Sequence, residues 1–336
     1  MIFYLIGVSY KSATFEIRQA IYLKRQAIKD FWGRAVKVDA AILITCNRFD
    51  ISIASECKED ILEYLGFFKA EFPEFYAYSY QKKGEEEILR YGLRLSCGLE
   101  SQIRGESQIL GQLAYWIKQN NFPVSLRIFW SRIVNEAFSI RAACGLNSIE
   151  VNVAKLLFKD LIDSGIPTDN LKICVLGTGK VARLIAEYGP GNAHFYFAAH
   201  KNRLKAQALA DERNAVVISF KELRFVISQM DVLIGAASSP HIILSAKDIP
   251  DRLLANRKPL YIYDLGFPYN IGRELSNEKN IVFRTTENLL QRHKDGSGNL
   301  QRALEFSGYL IEERLVNNAR VKSWNAAQPA CYQTVY

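Results

Sequence analysis

Histidine is scarce in this chain of 336 residues: four occur, His194, His200, His241 and His293, all in the second half. Chemistry in the first half must therefore proceed without an imidazole base. The six cysteines, Cys46, Cys57, Cys97, Cys144, Cys174 and Cys331, are far apart and include no Cys-x-x-Cys pair. Such spacing argues against a zinc ribbon or a disulfide framework and fits a reducing, cytoplasmic setting. No metal site is expected. No apolar run reaches the roughly 18 residues of a membrane span, and the N-terminal MIFYLIGVSYK lacks the basic segment of a secretory leader. No membrane partner is expected. Internal repeats and low-complexity segments are also missing.

Apolar residues make up 49% of the chain, enough for substantial cores, and the length calls for two or three domains. The formal net charge of +8 favours an anionic partner, such as nucleic acid or a phosphorylated cofactor, without saying which. A multidomain α/β protein is expected. Residues 1–145 alternate β-rich runs (IFYLIGVSY, AAILIT, ISIAS) with helical patterns, one near Ala20 to Val36 and one from Lys58, and read as an α+β domain. From Glu87 the pattern turns helical, passes a segment punctuated by Gly98, Gly105 and Gly111, and continues through Ser125 to Ala143. In VNVAKLLFKDLIDSG the apolar residues recur at helical spacing, with Gly165 placed to end the helix and Pro167 beyond it.

Six short buried-type strands then alternate with helical patterns: LKICVL, AHFYFAA, AVVIS, DVLIGAA, PLYIYD and NIVFRT. Together they predict a Rossmann-type, doubly wound parallel sheet over residues 146–285. Residues 286–336 read as a long polar helix to about Ser323, interrupted at the Asp-Gly-Ser-Gly stretch 295–298. A helix so polar must pack on another domain or another subunit.

Between the first of these strands and its helix, Gly177, Gly179 and Ala182 form G-x-G-x-x-A, with Lys180 opening the helix. The first glycine permits a tight turn, the second lets backbone approach a pyrophosphate, and the small third residue lets helix pack on strand. The second strand ends in His200, Lys201, Asn202 and Arg203, where an NAD site usually carries an acidic residue. That basic cluster suits a 2′-phosphate, so NADPH is the expected cofactor; a merely solvated basic loop is the alternative. Ser238, with Ser239 after DVLIGAA, falls at the carboxyl end of a strand, where such sheets bind ligands.

In ILITCNRFDI, residues 42–51, an apolar run ends in Thr45, Cys46, Asn47 and Arg48. A buried cysteine at a strand end is the plain interpretation; a nucleophile framed by polar groups is the sharper one. The pairing of this motif with a later Rossmann domain resembles the glutamyl-tRNA reductase family. GVSYKSATFEIRQ, TCNRFDI, GLESQIRGESQILGQL at 98–113 and YIYDLGFPYNI carry the resemblance, which spans about residues 3 to 325.

The resemblance implies reduction of glutamyl-tRNA(Glu) to glutamate 1-semialdehyde, the first step of five-carbon tetrapyrrole synthesis. It makes Cys46 the nucleophile that forms a thioester, which hydride from NADPH then reduces. Arg48 matches the arginine that recognises glutamate, and a guanidinium is suited to clamp a carboxylate bidentately. Thr45, Ser101, Glu106 and Gln112 fall on the implied substrate side, with Glu106 and Gln108 holding its architecture. Cys97 and Cys174 are expected in cores, Cys57 on the surface and Cys331 in the tail.

Departures from the family accompany the matches. Tyr10 and Tyr91 stand where histidines are usual; Tyr91 is the candidate acid/base position, yet a phenol with pKa near 10 is a poor base at neutral pH. Phe49, Asp50 and Ser52 replace Thr, Glu and Tyr, and His200-Lys201 replace Asn-Arg. The family continues into a helical dimerisation domain, whereas this chain stops at QPACYQTVY. A short form lacking most of that domain is expected, as a monomer or as a homodimer through the long helix. The family also implies glutamate-1-semialdehyde aminomutase as a partner. Two other readings stay open: a tRNA-binding regulatory homologue without turnover, and a small-molecule NADP dehydrogenase of the shikimate dehydrogenase type.

Overall fold

A computed structural model of the chain describes residues 1–119, 121–199, 202–250, 258–292 and 298–327. They form two compact units, one built from 1–150 with the C-terminal helix and the other from 151–295.

The first unit centres on a four-stranded antiparallel sheet of β1 (Ile2–Ser9), β2 (Asp39–Ile44), β3 (Arg48–Ser55) and β4 (Tyr80–Lys83), in the order β2-β3-β1-β4. The β3 alternation settles what each face does. Phe49, Ile51 and Ile53 point into an apolar layer with α1 (Phe15–Leu23), α2 (Arg25–Gly33), α3 (Lys58–Glu71) and α4 (Pro73–Ala77). Arg48, Asp50 and Ser52 point the other way and are buried too. That second face is covered by α5 (Glu85–Ser96) and α7 (Val124–Ala143), with α6 (Gln108–Trp116) between them in sequence. The single helix expected near Ala20 to Val36 is two short helices broken at Lys24. The segment 98–107 is irregular rather than helical, and β4 was not anticipated.

The second unit opens with α8 (Val153–Asp163), capped by the Asn152 side chain accepting from the Lys155 N–H (3.0 Å) and followed by Gly165 at φ +72°. Its sheet holds β5 (Lys172–Leu176), β6 (His194–Ala198), β7 (Val216–Ile218), β8 (Val232–Gly235), β9 (Leu260–Asp264) and β10 (Ile281–Thr285), all parallel. The order β10-β9-β8-β5-β6-β7 places the two halves of the sheet on either side of the β5/β8 seam, as in a dinucleotide fold. The expected α/β architecture is thus borne out. Among the described residues of the unit the other α-helices are α9 (Lys180–Tyr188), α10 (Arg203–Arg213), α11 (Phe220–Val226) and α12 (Thr286–Arg292).

The long helix α13 (Gly298–Ala327) belongs to the first unit, where Leu300, Leu304, Ile311 and Leu315 are buried and Arg90 pairs with Glu312 at 3.2 Å. It packs on α5, α7 and the turn at Leu146–Ser148. Among the described residues no helix is long and apolar enough to cross a membrane.

Asp160 on α8 is wholly buried and ties its unit together: it accepts from Tyr263 Oη (2.7 Å) and Arg292 Nε (2.7 Å) and pairs with Arg284. Removing one partner of a buried charge cluster strands the others. Asp160→Asn should cost about 3 kcal/mol in urea unfolding of the full chain, whereas Glu74→Gln, at the exposed pair with Lys24, should cost under about 1 kcal/mol. Equal losses would refute the clustered role.

Candidate functional site

Strands β2 and β3 are joined by a hairpin turn with Cys46 and Asn47 at its tip, closed by Thr45 N–H donating to the Arg48 carbonyl at 2.9 Å. The Thr45 hydroxyl accepts from the N–H groups of Asn47 (3.1 Å) and Arg48 (3.2 Å), which braces the turn. Arg18, nearly buried on α1, donates to the Cys46 carbonyl at 2.9 Å, and Tyr10 N–H donates to the Asn47 carbonyl at 3.1 Å. Cys46 is accessible at the tip. Surrounding protein nonetheless pushes its thiol up to about 11, with Glu106 adding to the rise and Arg18 and Arg48 opposing it.

Arg48 is 5% exposed. One terminal nitrogen donates to Tyr91 Oη at 2.5 Å and lies 3.8 Å from Asp50 Oδ2, while the other donates to the Glu100 carbonyl. Tyr80 donates to Asp50 Oδ1 (2.5 Å), Tyr91 to Asp50 Oδ2 (2.7 Å), and the two phenolic oxygens are 2.7 Å apart. Burial raises the Asp50 carboxyl, with Arg48 and both phenols pulling it down. Gly7 stands opposite Asp50 on β1, and a Cβ there would collide with the Asp50 carboxylate and the Tyr80 phenol.

This network opens onto a cavity of about 530 Å³ whose wall carries Lys11, Arg48, Lys82, Arg90 and Arg94 against Glu87 and Glu100. The excess of cations suits a small anion. Tyr91 also lines it; Thr45, Cys46, Ser101, Glu106 and Gln112 do not.

The irregular segment 98–107 folds back so that Gly105 N–H donates to the Gly98 carbonyl at 3.0 Å, and a Cβ on Gly98, at φ +78°, would meet the Gly105 backbone. Ser101 is buried, and its carbonyl accepts from Tyr10 Oη at 3.1 Å. Glu106, half-buried, is held through its carbonyl by Arg141, which also donates to the carbonyls of Cys97 and Gly105, at 3.1 to 3.2 Å. Gln108 and Gln112 are half-buried on α6. Cys57, expected on the surface, is half-buried with its thiol 2.9 Å from Glu59. The roles of Arg18, Tyr80 and Arg141 were not anticipated. Only the polar alternation of β3, which demands buried partners, could have pointed to Tyr80.

In the second unit, Gly177 takes φ +122° and abuts the Ala236–Ala237 backbone after β8, so a Cβ there would clash, whereas a Cβ on Gly179 would make only an ordinary contact with the Ala236 carbonyl, at 3.9 Å. Lys180 and Gly179 are exposed at the α9 N-terminus and Ala182 is buried under it. The Ala236–Ala237 wall is fixed by Asn270, whose amide accepts from Ala237 N–H (2.7 Å) and donates to its carbonyl (3.0 Å). Asp264 in turn accepts from the N–H groups of Gly266, Asn270 and Ile271, and burial pushes its carboxyl up to about 6 against those donors. Arg203, opening α10, and Ser238 are exposed; His200 and Lys201 lie outside the described residues. An open helix N-terminus above a glycine turn at the β5/β8 seam fits a dinucleotide pyrophosphate.

Residues 6–148 match the glutamyl-tRNAGlu reductase N-terminal domain, and residues 160–291 match the shikimate/quinate 5-dehydrogenase domain. A glutamyl-tRNA reductase of Neisseria meningitidis serogroup C is 24% identical over 96% of this chain and 81% of its own length. Over residues 6–148 the chain thus matches the glutamyl-tRNA reductase family. Another relative, the glutamyl-tRNA reductase of Marinobacter nauticus, is 27% identical over 85% of this chain and 70% of its own. Among solved structures, glutamyl-tRNA reductase from Methanopyrus kandleri aligns over 96% of this chain and 81% of its own at 20% identity, with a TM-score of 0.45. Within the glutamyl-tRNA reductase family frame, the hairpin with Cys46 and the cavity with Arg48 both fall in the N-terminal match.

A thiol with pKa near 11 is almost wholly protonated at neutral pH. Alkylation of Cys46 by iodoacetamide should therefore rise about tenfold per pH unit between about pH 7 and 10, without the levelling near 8.5 of a free cysteine. Glu106→Gln should move the rise to lower pH. A plateau below about pH 9 in the intact protein would contradict the assigned surroundings.

Proposed function

We propose that this chain is an NADPH-dependent glutamyl-tRNA reductase that releases glutamate 1-semialdehyde through a thioester on Cys46. The observation that carries the reading is a single hairpin: Cys46 is accessible at its tip, and two residues on Arg48 enters a cation-lined cavity of about 530 Å³. In this reading the cavity seats the glutamyl group, with Arg48 attracting a carboxylate, and residues 1–145 form the glutamyl-tRNA-recognising part. The net charge of +8 suits a tRNA backbone.

Cys46 attacks the ester carbonyl as the thiolate, its thiol proton going to solvent; a carbon–sulfur bond forms, the bond to the tRNA ribose oxygen breaks, and that oxygen leaves with a proton taken from solvent. Arg18 and Arg48 favour the thiolate, and the Thr45 hydroxyl keeps the turn in shape. Gly177, Gly179, Lys180 and Ala182 would hold the pyrophosphate of NADPH, with His200, Lys201 and Arg203 toward its 2′-phosphate and Ser238 at the strand ends. When bound, the cofactor supplies the hydride that lets the thioester carbon leave sulfur as an aldehyde. Tyr91 is already hydrogen-bonded to Arg48, Asp50 and Tyr80, so its phenol positions Arg48 rather than acting as a free base. Glutamate-1-semialdehyde aminomutase would be the consumer of the product.

The intact protein should release glutamate 1-semialdehyde from glutamyl-tRNA with NADPH. Cys46→Ser should lower the rate at least about a thousandfold, and Arg48→Ala should lower kcat/KM about a hundredfold. Aldehyde from Cys46→Ser would sink the thioester. Tight tRNA binding with no aldehyde would favour a regulatory homologue, and indifference to tRNA would redirect the search to small carbonyl substrates.

A further inference from the structure

Three groups in the first unit share fewer protons than they have contacts. Asp50, Tyr80 and Tyr91 form a closed ring of three short oxygen–oxygen contacts, of 2.5, 2.7 and 2.7 Å. With Asp50 ionised, the two phenols provide two protons for these three contacts, so one pair of oxygens faces without a hydrogen between them. A proton on Asp50 completes the ring: Tyr80 donates to Asp50 Oδ1, Asp50 Oδ2 donates to Tyr91, and Tyr91 donates to Tyr80.

The ring also sets the charge that the cavity presents. Lys11 and Arg94 are paired with Glu100, Lys82 with Glu87, and Arg90 with Glu86 and Glu312. Those cations have carboxylates of their own around the cavity. Arg48 instead has Asp50, 3.8 Å away inside the ring. While Asp50 is ionised the buried pair is neutral; once it is protonated, the guanidinium charge is left to an anion in the cavity.

We propose that Asp50 takes up one proton from solvent when a carboxylate binds opposite Arg48, so that the Asp50–Tyr80–Tyr91 ring sets the anion affinity of the cavity. Asp50 is thereby a positioning and specificity-determining residue. The titratable groups facing it are Arg48 on its own strand, Tyr80 on β4 and Tyr91 on α5; β1 presents Gly7. Burial, which raises this carboxyl, works in the same direction. The inference rests on the cavity being the seat of the glutamyl group.

Free L-glutamate is the probe, titrated calorimetrically into the full chain in two buffers of different protonation enthalpy, at about pH 6 and about pH 8. The intact protein should take up a proton, approaching one per glutamate, and its affinity should fall by up to about tenfold per pH unit. Asp50→Asn should bind glutamate without proton uptake. Tyr80→Phe removes a donor that favours the carboxylate, so uptake should persist and the fall in affinity should move to higher pH. Glutamate binding with no proton uptake in the intact protein, uptake unchanged in Asp50→Asn, or no glutamate binding would each overturn the proposal. Aldehyde release from glutamyl-tRNA separates the two ideas. Turnover with pH-independent glutamate binding defeats the ring alone, and proton-linked binding without turnover defeats the reductase reading alone.

Discussion

A strand enclosed on both faces, yet polar along one of them, is the constraint around which the first unit is arranged. Arg48, Asp50 and Ser52 leave water when β3 is covered, and buried charges and hydroxyls must find partners or the fold pays several kcal/mol for each. Neighbouring elements supply those partners. Trp130 on α7 donates to Ser52 at 3.1 Å, Tyr91 comes from α5, Tyr80 from the short β4, and Gly7 gives way where a side chain would intrude. An apolar face of the same shape would be easier to bury. Its retention as a polar face, opening onto a cavity, is what singles this region out.

The same device, a buried polar side chain that spends its hydrogen bonds on irregular backbone, recurs wherever a loop must hold a fixed shape. Arg141 gathers three carbonyls of the glycine-punctuated segment 97–106. Asp264 gathers three N–H groups beyond β9, and Asn270 clamps the loop after β8 against Gly177. Loops without regular ladders still have donors and acceptors to satisfy. Here single side chains do so, and each can set several residues at once.

The Rossmann-type unit was legible because buried parallel strands are continuous apolar runs and its glycine motif sits between strand and helix. The two runs that became β2 and β3, and the placing of Cys46 at a strand end, were also readable, since the apolar run stops at Thr45; that the two strands form one hairpin was not. Periodicity did not resolve the break at Lys24, where one amphipathic pattern runs over two helices, nor β4, whose four residues carry no apolar alternation. Arg18, Tyr80, Arg141 and Asn270 escaped for another reason. Their partners are distant in sequence, and an arginine or tyrosine that will be buried looks the same on paper as one that will be solvated.

The first unit is discontinuous: its chain leaves after Glu150, builds the whole second unit, and returns as α13. During synthesis the sheet with Cys46 and Arg48 therefore emerges well before the helix that packs on α5 and α7. Leu300 and Leu304, which sit beside Gly105 and close that side of the core, arrive about 150 residues after the rest of the unit. The nascent N-terminal region must wait with an uncovered apolar flank, while the inserted unit has everything needed to fold in between. Packing of α13 is thus a late event, although every residue that lines the cavity lies within the first hundred of the chain.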